Sequence, residues 1–396
     1  MRIALLTDDW RPTGGVASYV RLLAPALADA GHEVLVVHDG LDIDTGAVSS
    51  TFTVTAVTAA FRARSHELDT DGAMQVGTHV ASFAPDIVHL HANANTVLER
   101  QMQQHWPTVR TVHGLETCPA GSKLHGVTGR ICTLPTGPMC LPRLLYLRCT
   151  DSLRPAAWLN GYRSARTTID ALGGYSRVIV ASRYMRGLVE QAALPSDRLD
   201  VVPCCTAEAP PAPAAASRTV LFVGRVNREK GADQLLEIMA RVTGSWRLVI
   251  VGDGIGMPAL QDHIRRSPYA ERIECRGWLT GAALDAAYAE AAVVVMPSRW
   301  PEPFGLVGLE AMMRERPVVA YDVGGIADWL DDGVGGYLVP TGDIAGMASR
   351  IQQVLDDPHL AAEVAQRGRA RVRAEFTVGP HLARLMPTYE RVIARN

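Results

Sequence analysis

Short apolar runs alternate along the chain with longer segments whose apolar positions recur at helical spacing. "RIALLT" (2–7) leads into a glycine-bearing loop, "RPTGG", and then into "VASYVRLLAPALADAG", a helix pattern ending at Gly31. "EVLVVH" (33–38), "DIVHLH" (86–91), "TVRTVH" (108–113) and "SRVIVAS" (176–182) read as further strands. The scheme restarts at "RTVLFVGR" (218–225) and continues through "RLVIVGDG", "RIECRG", "AVVVMPS" and "RPVVAYD". Strands alternating with helices predict the α/β class, with parallel sheets covered on both faces.

At 396 residues the chain is long for a single core, so two domains are expected. "EAPPAPAAAS" (208–217) is rich in Pro and Ala and poor in bulky apolar residues, which makes it the linker candidate. The boundary falls near 205–217, giving an N-terminal domain over 1–205 and a C-terminal one over 206–379. Residues 380–396 belong to a last helix, "GPHLARLMPTYERVIARN", with a kink expected at Pro387. Two Rossmann-like doubly wound domains joined this way leave a cleft where the carboxyl ends of both sheets face each other. The stretch 114–170 is the least regular and reads as a structureless lid, acceptor-binding loop or small metal-held subdomain.

Composition narrows the classes of function. The net charge of -2 offers no field for nucleic acid or an anionic membrane. The apolar run at the N-terminus breaks at Asp8, so it reads as a strand rather than a signal peptide, and no apolar stretch approaches a membrane span. Seven cysteines without a secretion signal favour a reduced, cytoplasmic setting. Cys118, Cys132, Cys140 and Cys149 are spaced 14, 8 and 9 positions apart, unlike the C-x-x-C pairs of a zinc site, so the residues alone leave open whether they bind a structural metal.

Candidate chemistry lies where strands give way to helices. Gly14 and Gly15 would let an anion approach a helix N-terminus, although a tight strand-to-helix turn also wants glycine. In "VGRVNREKG", Arg225 and Lys230 would hold a diphosphate, or else form a solvated basic loop. "PSRWPEPFGLVGLEAM" (297–312) sets Glu302 and Glu310 on either side of a Pro-Phe-Gly turn. Phe304, Gly305, Leu306 and Val307 occupy the first turn of the helix that follows, where unpaired amides can bind phosphate. Glu310 suits the two hydroxyls of a ribose, and Glu302 stands beside no cation in the sequence. His113 ends a strand with Gly114 behind it, a ligand position in such sheets, although a lone histidine at a strand end is more often structural. His89 and His91 share one strand face and read as ligand-facing or as core. "DID" (42–44) has the form of a metal–diphosphate chelate but reads as surface loop, and "GDGIG" (252–256) is an incomplete dinucleotide loop. No metal site is assigned.

In order along nearly the whole chain, "P-x-G-G", "DIVHLH", "TVHG", "VGRVNREKG", "VGDG", "PSRWPEPFGLVGLEAM" and "RPVVAYDVGGIADWLDDGVGGYLV" resemble the retaining nucleotide-sugar-dependent glycosyltransferases of family 4, which have the GT-B fold. The resemblance implies that Gly15 approaches the donor diphosphate and that Arg225 and Lys230 neutralise it as it leaves. It gives Leu306 and Val307 the phosphate, Glu310 the ribose, Glu302 the donor sugar's hydroxyls and His113 a place facing the reacting sugar. "ECRGWL" (274–279), with Arg276, would contact the nucleobase, and the last helix would cross back to the first domain. Gly308, where relatives carry a larger apolar residue, and Glu315-Arg316, in place of a glycine-bearing turn, depart from the pattern.

What the resemblance implies is transfer of a sugar from a nucleoside-diphosphate sugar, UDP-linked, to an acceptor hydroxyl with retention. It implies no cofactor and no metal requirement. The acceptor is a small molecule, lipid or glycan, with peripheral membrane contact possible in the lipid case. The rival expectations are a GT-B epimerase, hydrolase or phosphorylase, and a non-catalytic nucleotide-sugar-binding protein.

Overall fold

The computed structural model of the chain describes residues 1–396 except 12–13, 41–51, 59, 62–65, 93, 151, 153, 193, 214–217 and 396. The Asp-x-Asp candidate at 42–44 lies outside the described residues, as do Pro12 and Thr13 of the first loop and the end of the linker candidate. The chain forms two compact units. The first comprises Met1–Thr128, Cys132–Cys205 and Val378–Asn396, and the second Gly129–Ile131 and Thr206–Thr377.

In the first unit the strands are β1 (Arg2–Thr7), β2 (Glu33–His38), β3 (Thr53–Ala56), β4 (Ile87–Leu90), β5 (Thr108–Val112), β6 (Arg177–Val180) and β7 (Leu199–Val201). They pair in the order β3-β2-β1-β4-β5-β6-β7, with every ladder parallel. The β4 and β5 strands are buried throughout, because helices pack on both faces of such a sheet and continuous apolar runs are what it needs. Strand order reverses direction between β1 and β4. Ligands of doubly wound sheets bind at such a switch point, outside the carboxyl ends of the strands. The loops there follow β1, with Gly14, β4, with His91, and β5, with His113.

The second unit repeats the plan with β8 (Thr219–Val223), β9 (Arg247–Val251), β10 (Ile273–Gly277), β11 (Val293–Met296), β12 (Val318–Tyr321), β13 (Asp331–Asp332) and β14 (Gly335–Val339). The order is β10-β9-β8-β11-β12-β14-β13, again with parallel ladders. Its switch point lies between β8 and β11, which carry "GRVNREKG" and "PSRWPEPFG" at their carboxyl ends.

One expectation needs correction. The 114–170 segment is not structureless: it contains the helices Cys140–Tyr146 and Pro155–Leu172. The second has Pro155 in its first turn, a start signal that the surrounding glycines and arginines obscured. The last helix, Val378–Ile393, includes Pro387, the position where a kink is expected. It belongs to the first unit, where the Tyr389 hydroxyl meets His89 Nδ1 at 2.7 Å and Arg391 donates to Asp200 at 2.9 Å.

Candidate active site

The loop from β8 starts with Gly224 and the exposed Arg225, then turns back at Gly231. Asn227 Oδ1 accepts from the Lys230 amide at 2.9 Å, closing the turn. Gly231 has φ 71°, and a Cβ there would lie 1.9 Å from the Pro297 carbonyl oxygen. Only glycine lets this loop lie against the one that follows β11. Arg299 fastens the two loops further, donating to the Arg228 carbonyl at 2.8 Å and to Asp233 at 2.6 Å.

That proximity supplies the cation missing from the local sequence around Glu302. Lys230 Nζ donates to Glu302 Oε1 at 2.6 Å, and the Ser298 hydroxyl donates to the same oxygen at 2.6 Å. Glu302 is buried, which alone would raise its pKa, but the Lys230 ammonium and the hydrogen bonds from Lys230 and Ser298 outweigh burial and hold it below the usual value. Lys230 also lies 5.1 Å above the Trp300 ring. The Arg225 guanidinium makes no hydrogen bond or ion pair among the described residues, so it remains an open anion partner.

The helix Leu306–Met313 begins at Gly305, whose φ of 97° is left-handed and costs a side-chain-bearing residue strain. No side chain caps this helix. The first intrahelical bond from its amides belongs to Gly308, to the Gly305 carbonyl at 3.1 Å, so the Leu306 and Val307 amides are the open donors. The Phe304 ring is buried against Phe376, with centroids 5.9 Å apart, so its side chain supports the turn from inside. Its carbonyl accepts from the Trp329 indole at 2.6 Å.

Trp329 also accounts for Gly308: a Cβ at 308 would lie 1.9 Å from the indole ring, so the tryptophan fills the space of the missing side chain. Glu310 receives the Tyr288 hydroxyl at 3.0 Å. Burial raises its pKa, and the Tyr288 hydrogen bond and Arg314 only partly offset that. Arg276 lies elsewhere in its interactions, paired with Glu274 at 3.0 Å and Glu290 at 2.7 Å. Its guanidinium is engaged by carboxylates instead of standing free for a base.

At the carboxyl end of the first sheet the chemistry is different. Gly14, with φ 90°, precedes the helix Gly15–Asp29, and both glycines are exposed. His89, His91, His113 and His381 cluster with Tyr19 and Tyr389. His89 is fully engaged by the Tyr389 hydroxyl and by Thr111 Oγ1, each at 2.7 Å, so it is a core histidine. His91 Nδ1 lies 3.1 Å from His113 Nε2. His381 joins Tyr19, at 2.8 Å, to the Pro203 carbonyl, at 2.8 Å. Burial holds all four imidazoles neutral. For His113 the value falls to about 3, through burial first and then the positive charge of Arg110 and the neighbouring His381. Arg110 is itself buried between Glu99 and Glu116.

The four cysteines of the irregular segment line one small cavity of about 30 Å³ together with His125 and Arg143. They are free thiols, and burial with the three neighbouring thiols pushes Cys149 up to about 11. Among the described residues no three His, Cys, Asp or Glu side chains stand in an arrangement that could hold a metal ion. No described helix is long and apolar enough to cross a membrane.

Sequence reasoning missed Ser298, Tyr288, Trp329 and the His91–His113 contact. A signal existed for the last: β4 and β5 are adjacent, and each histidine follows its strand directly.

Comparison with known proteins agrees with this layout. Residues 13–207 match the family described as "Glycosyltransferase Family 4", and residues 217–357 match "Glycosyl transferases group 1". The chain is 27% identical to glycogen synthase of Mycobacterium tuberculosis over 404 aligned positions, covering 95% of this chain and 91% of that one. It is 33% identical to alpha-D-kanosaminyltransferase of Streptomyces kanamyceticus over 162 residues, 40% of this chain and 42% of that one. The match thus spans less than half of the kanosaminyltransferase. The structure superposes on that of Anabaena HepE, solved in complex with UDP, with a TM-score of 0.73 and 19% identity over 99% of this chain and 100% of that one. The chain belongs to the family 4 glycosyltransferases and has the GT-B fold.

Proposed function

We propose that this glycosyltransferase moves a sugar from a nucleoside-diphosphate sugar, UDP-linked, to an acceptor hydroxyl, with retention of anomeric configuration and without a metal. The observation that carries the reading is the turn at Gly305. It directs two open amides outward between Glu302, which is paired with Lys230, and Glu310. The UDP bound by the Anabaena HepE protein supports the choice of base.

The Leu306 and Val307 amides bind the distal phosphate, Arg225 and Lys230 neutralise the diphosphate, and Glu310 accepts from the ribose hydroxyls. Glu302 holds Lys230 in place and accepts from hydroxyls of the transferred sugar. In the first unit, the exposed Gly14 and Gly15 at a helix N-terminus are the candidates for a diphosphate contact, and His113, an uncharged hydrogen-bonding group, is the candidate for a sugar contact. Negative charge grows on the leaving diphosphate as the bond to the anomeric carbon breaks. Fixed donors aimed at that charge each contribute about 3 to 4 kcal/mol, which is why cations and amides can stand in for a metal. The acceptor oxygen bonds to the anomeric carbon on the face the diphosphate leaves, and the diphosphate takes the acceptor proton.

The test is a panel of nucleotide sugars scored first by thermal stabilisation. A donor at 100 times its dissociation constant adds roughly 2.7 kcal/mol. The stabilising donor is then supplied with candidate acceptors, with and without chelator, and the product's anomeric configuration is read by NMR. Retained configuration and turnover that survives chelation are expected. Inversion, or loss restored only by a divalent ion, overturns the mechanism. Donor consumed with no acceptor present would mark a hydrolase instead.

A further inference from the structure

We propose that His91 fixes the tautomer of His113. His91 donates its Nδ1 proton to His113 Nε2, so His113 keeps its own proton on Nδ1 and meets the sugar as a neutral hydrogen-bond donor, unable to act as a general base through Nε2. The two nitrogens are 3.1 Å apart, and with both rings neutral one must donate and the other accept. The choice is settled at the far side of His91. That ring is fully buried, and its Nε2 has no hydrogen-bond partner. A buried orphan N–H is rarer than a buried orphan acceptor, so the unpartnered Nε2 is the lone pair and the proton sits on Nδ1.

The groups facing the pair reinforce the neutral state. Arg110 and His381 oppose a positive charge on His113, the Tyr19 ring lies 5.3 Å from it, and the His89 ring lies tilted 4.0 Å from His91. No acceptor or carboxylate bonds His113 Nδ1 among the described residues, which leaves that N–H for a ligand oxygen. His91 is then a positioning residue: it acts on the sugar only through His113. The sugar contact rests on the function proposed above, whereas the tautomer does not.

The tautomer can be read without substrate. Protein labelled with 15N-histidine gives long-range 1H–15N correlations that report which ring nitrogen is protonated, and the His113 signals are identified by their loss in His113→Gln. The expected result is a protonated Nδ1 and a bare Nε2 in His113, and a protonated Nδ1 in His91. A proton on His113 Nε2, or a charged His113 at pH 7, overturns the proposal.

His91→Leu removes the donor. It should abolish the single tautomer and lower kcat on the order of 10-fold with little change in donor KM, as loss of a transition-state donor does. His91→Asn, which can present an amide N–H near the Nδ1 position, should restore the tautomer and most of the rate. Wild-type kcat in His91→Leu, or equal losses in both variants, overturns the positioning role. If no donor is turned over at all, the function fails, and the ligand-free spectrum still judges the tautomer.

Discussion

The carboxyl end of the first sheet carries imidazoles kept neutral by burial, whereas that of the second carries charges held in place by one another. The topologies are nearly the same, with strand order reversing beside the first strand of each sheet. What differs is the price of charge. Around His113 the nearby charges among the described residues are positive or already paired, so protonation is resisted. Around Glu302 a lysine and a serine hydroxyl favour the ionised form over burial. One scaffold thus offers uncharged directionality in one unit and permanent charge in the other. A sugar needs hydrogen bonds of fixed direction, and a departing diphosphate needs charge.

Acid should separate the two ends most strongly. The four histidines have folded pKa values below the ordinary value near 6.5, at about 3 for His113 and about 4 for His381. The unfolded chain therefore binds more protons below that value. Stability is level above about pH 7 and is lost as pH falls below about 6.5, at up to about 1.4 kcal/mol per unit for each histidine. Glu310, raised by burial, works in the opposite sense, since its ionisation costs stability that acid restores. Hydrogen-exchange protection, corrected for intrinsic rates, should fall at pH 5.5 in β4 and β5 and hold in β11 and β12. Equal losses in both sheets would erase the contrast.

Next in size is Lys230→Ala. It should lower kcat/KM by about 10² to 10³, roughly 3 to 4 kcal/mol, with a smaller loss of folding stability. Adding Glu302→Gln should return stability without returning activity, because the buried carboxylate is no longer left unpaired. Recovery of both in the double variant would mean the pair is structural only.

Gly308→Ala follows, at about 1 to 3 kcal/mol of stability in denaturant unfolding, since its Cβ would strike the Trp329 ring. An unchanged midpoint would show that the indole can move aside. The smallest effect is Glu315→Gly. Glu315 has φ 55°, so relief of the left-handed strain should raise stability by about 0.5 to 1 kcal/mol, and a destabilised variant would give its ion pair with Arg369 the larger weight.

The strands were legible where both faces are buried, as in β5 and β11, because a short, mostly apolar run between turn signals suits a strand covered on both sides. The edge strand β3 was missed because its burial is only partial, and β14 because it opens on two glycines. At the site, the Glu302-to-Glu310 arrangement was readable because its parts are contiguous. The Lys230–Glu302 pair spans 72 positions, and it depends on β8 and β11 being neighbours and on Gly231 permitting close approach. The ion pairs of Arg276 were not legible, because they join Glu274, two residues away on the same strand face, to Glu290 on a following helix. The inward packing of the Phe304 ring was not legible, because residues flanking an open helix turn can still face the core.

The last helix has a consequence for synthesis. The first unit is built from the beginning and the end of the chain, with residues 206–377 of the second unit in between. His89 finds its Tyr389 partner, and Tyr19 its His381 partner, only after the ribosome has delivered residues 206–377 of the second unit. Until then the imidazole cluster is an unfinished core. The order of translation therefore lets the second unit mature while the first waits, and a chain truncated before Val378 would leave its first sheet with buried polar groups and no one to answer them.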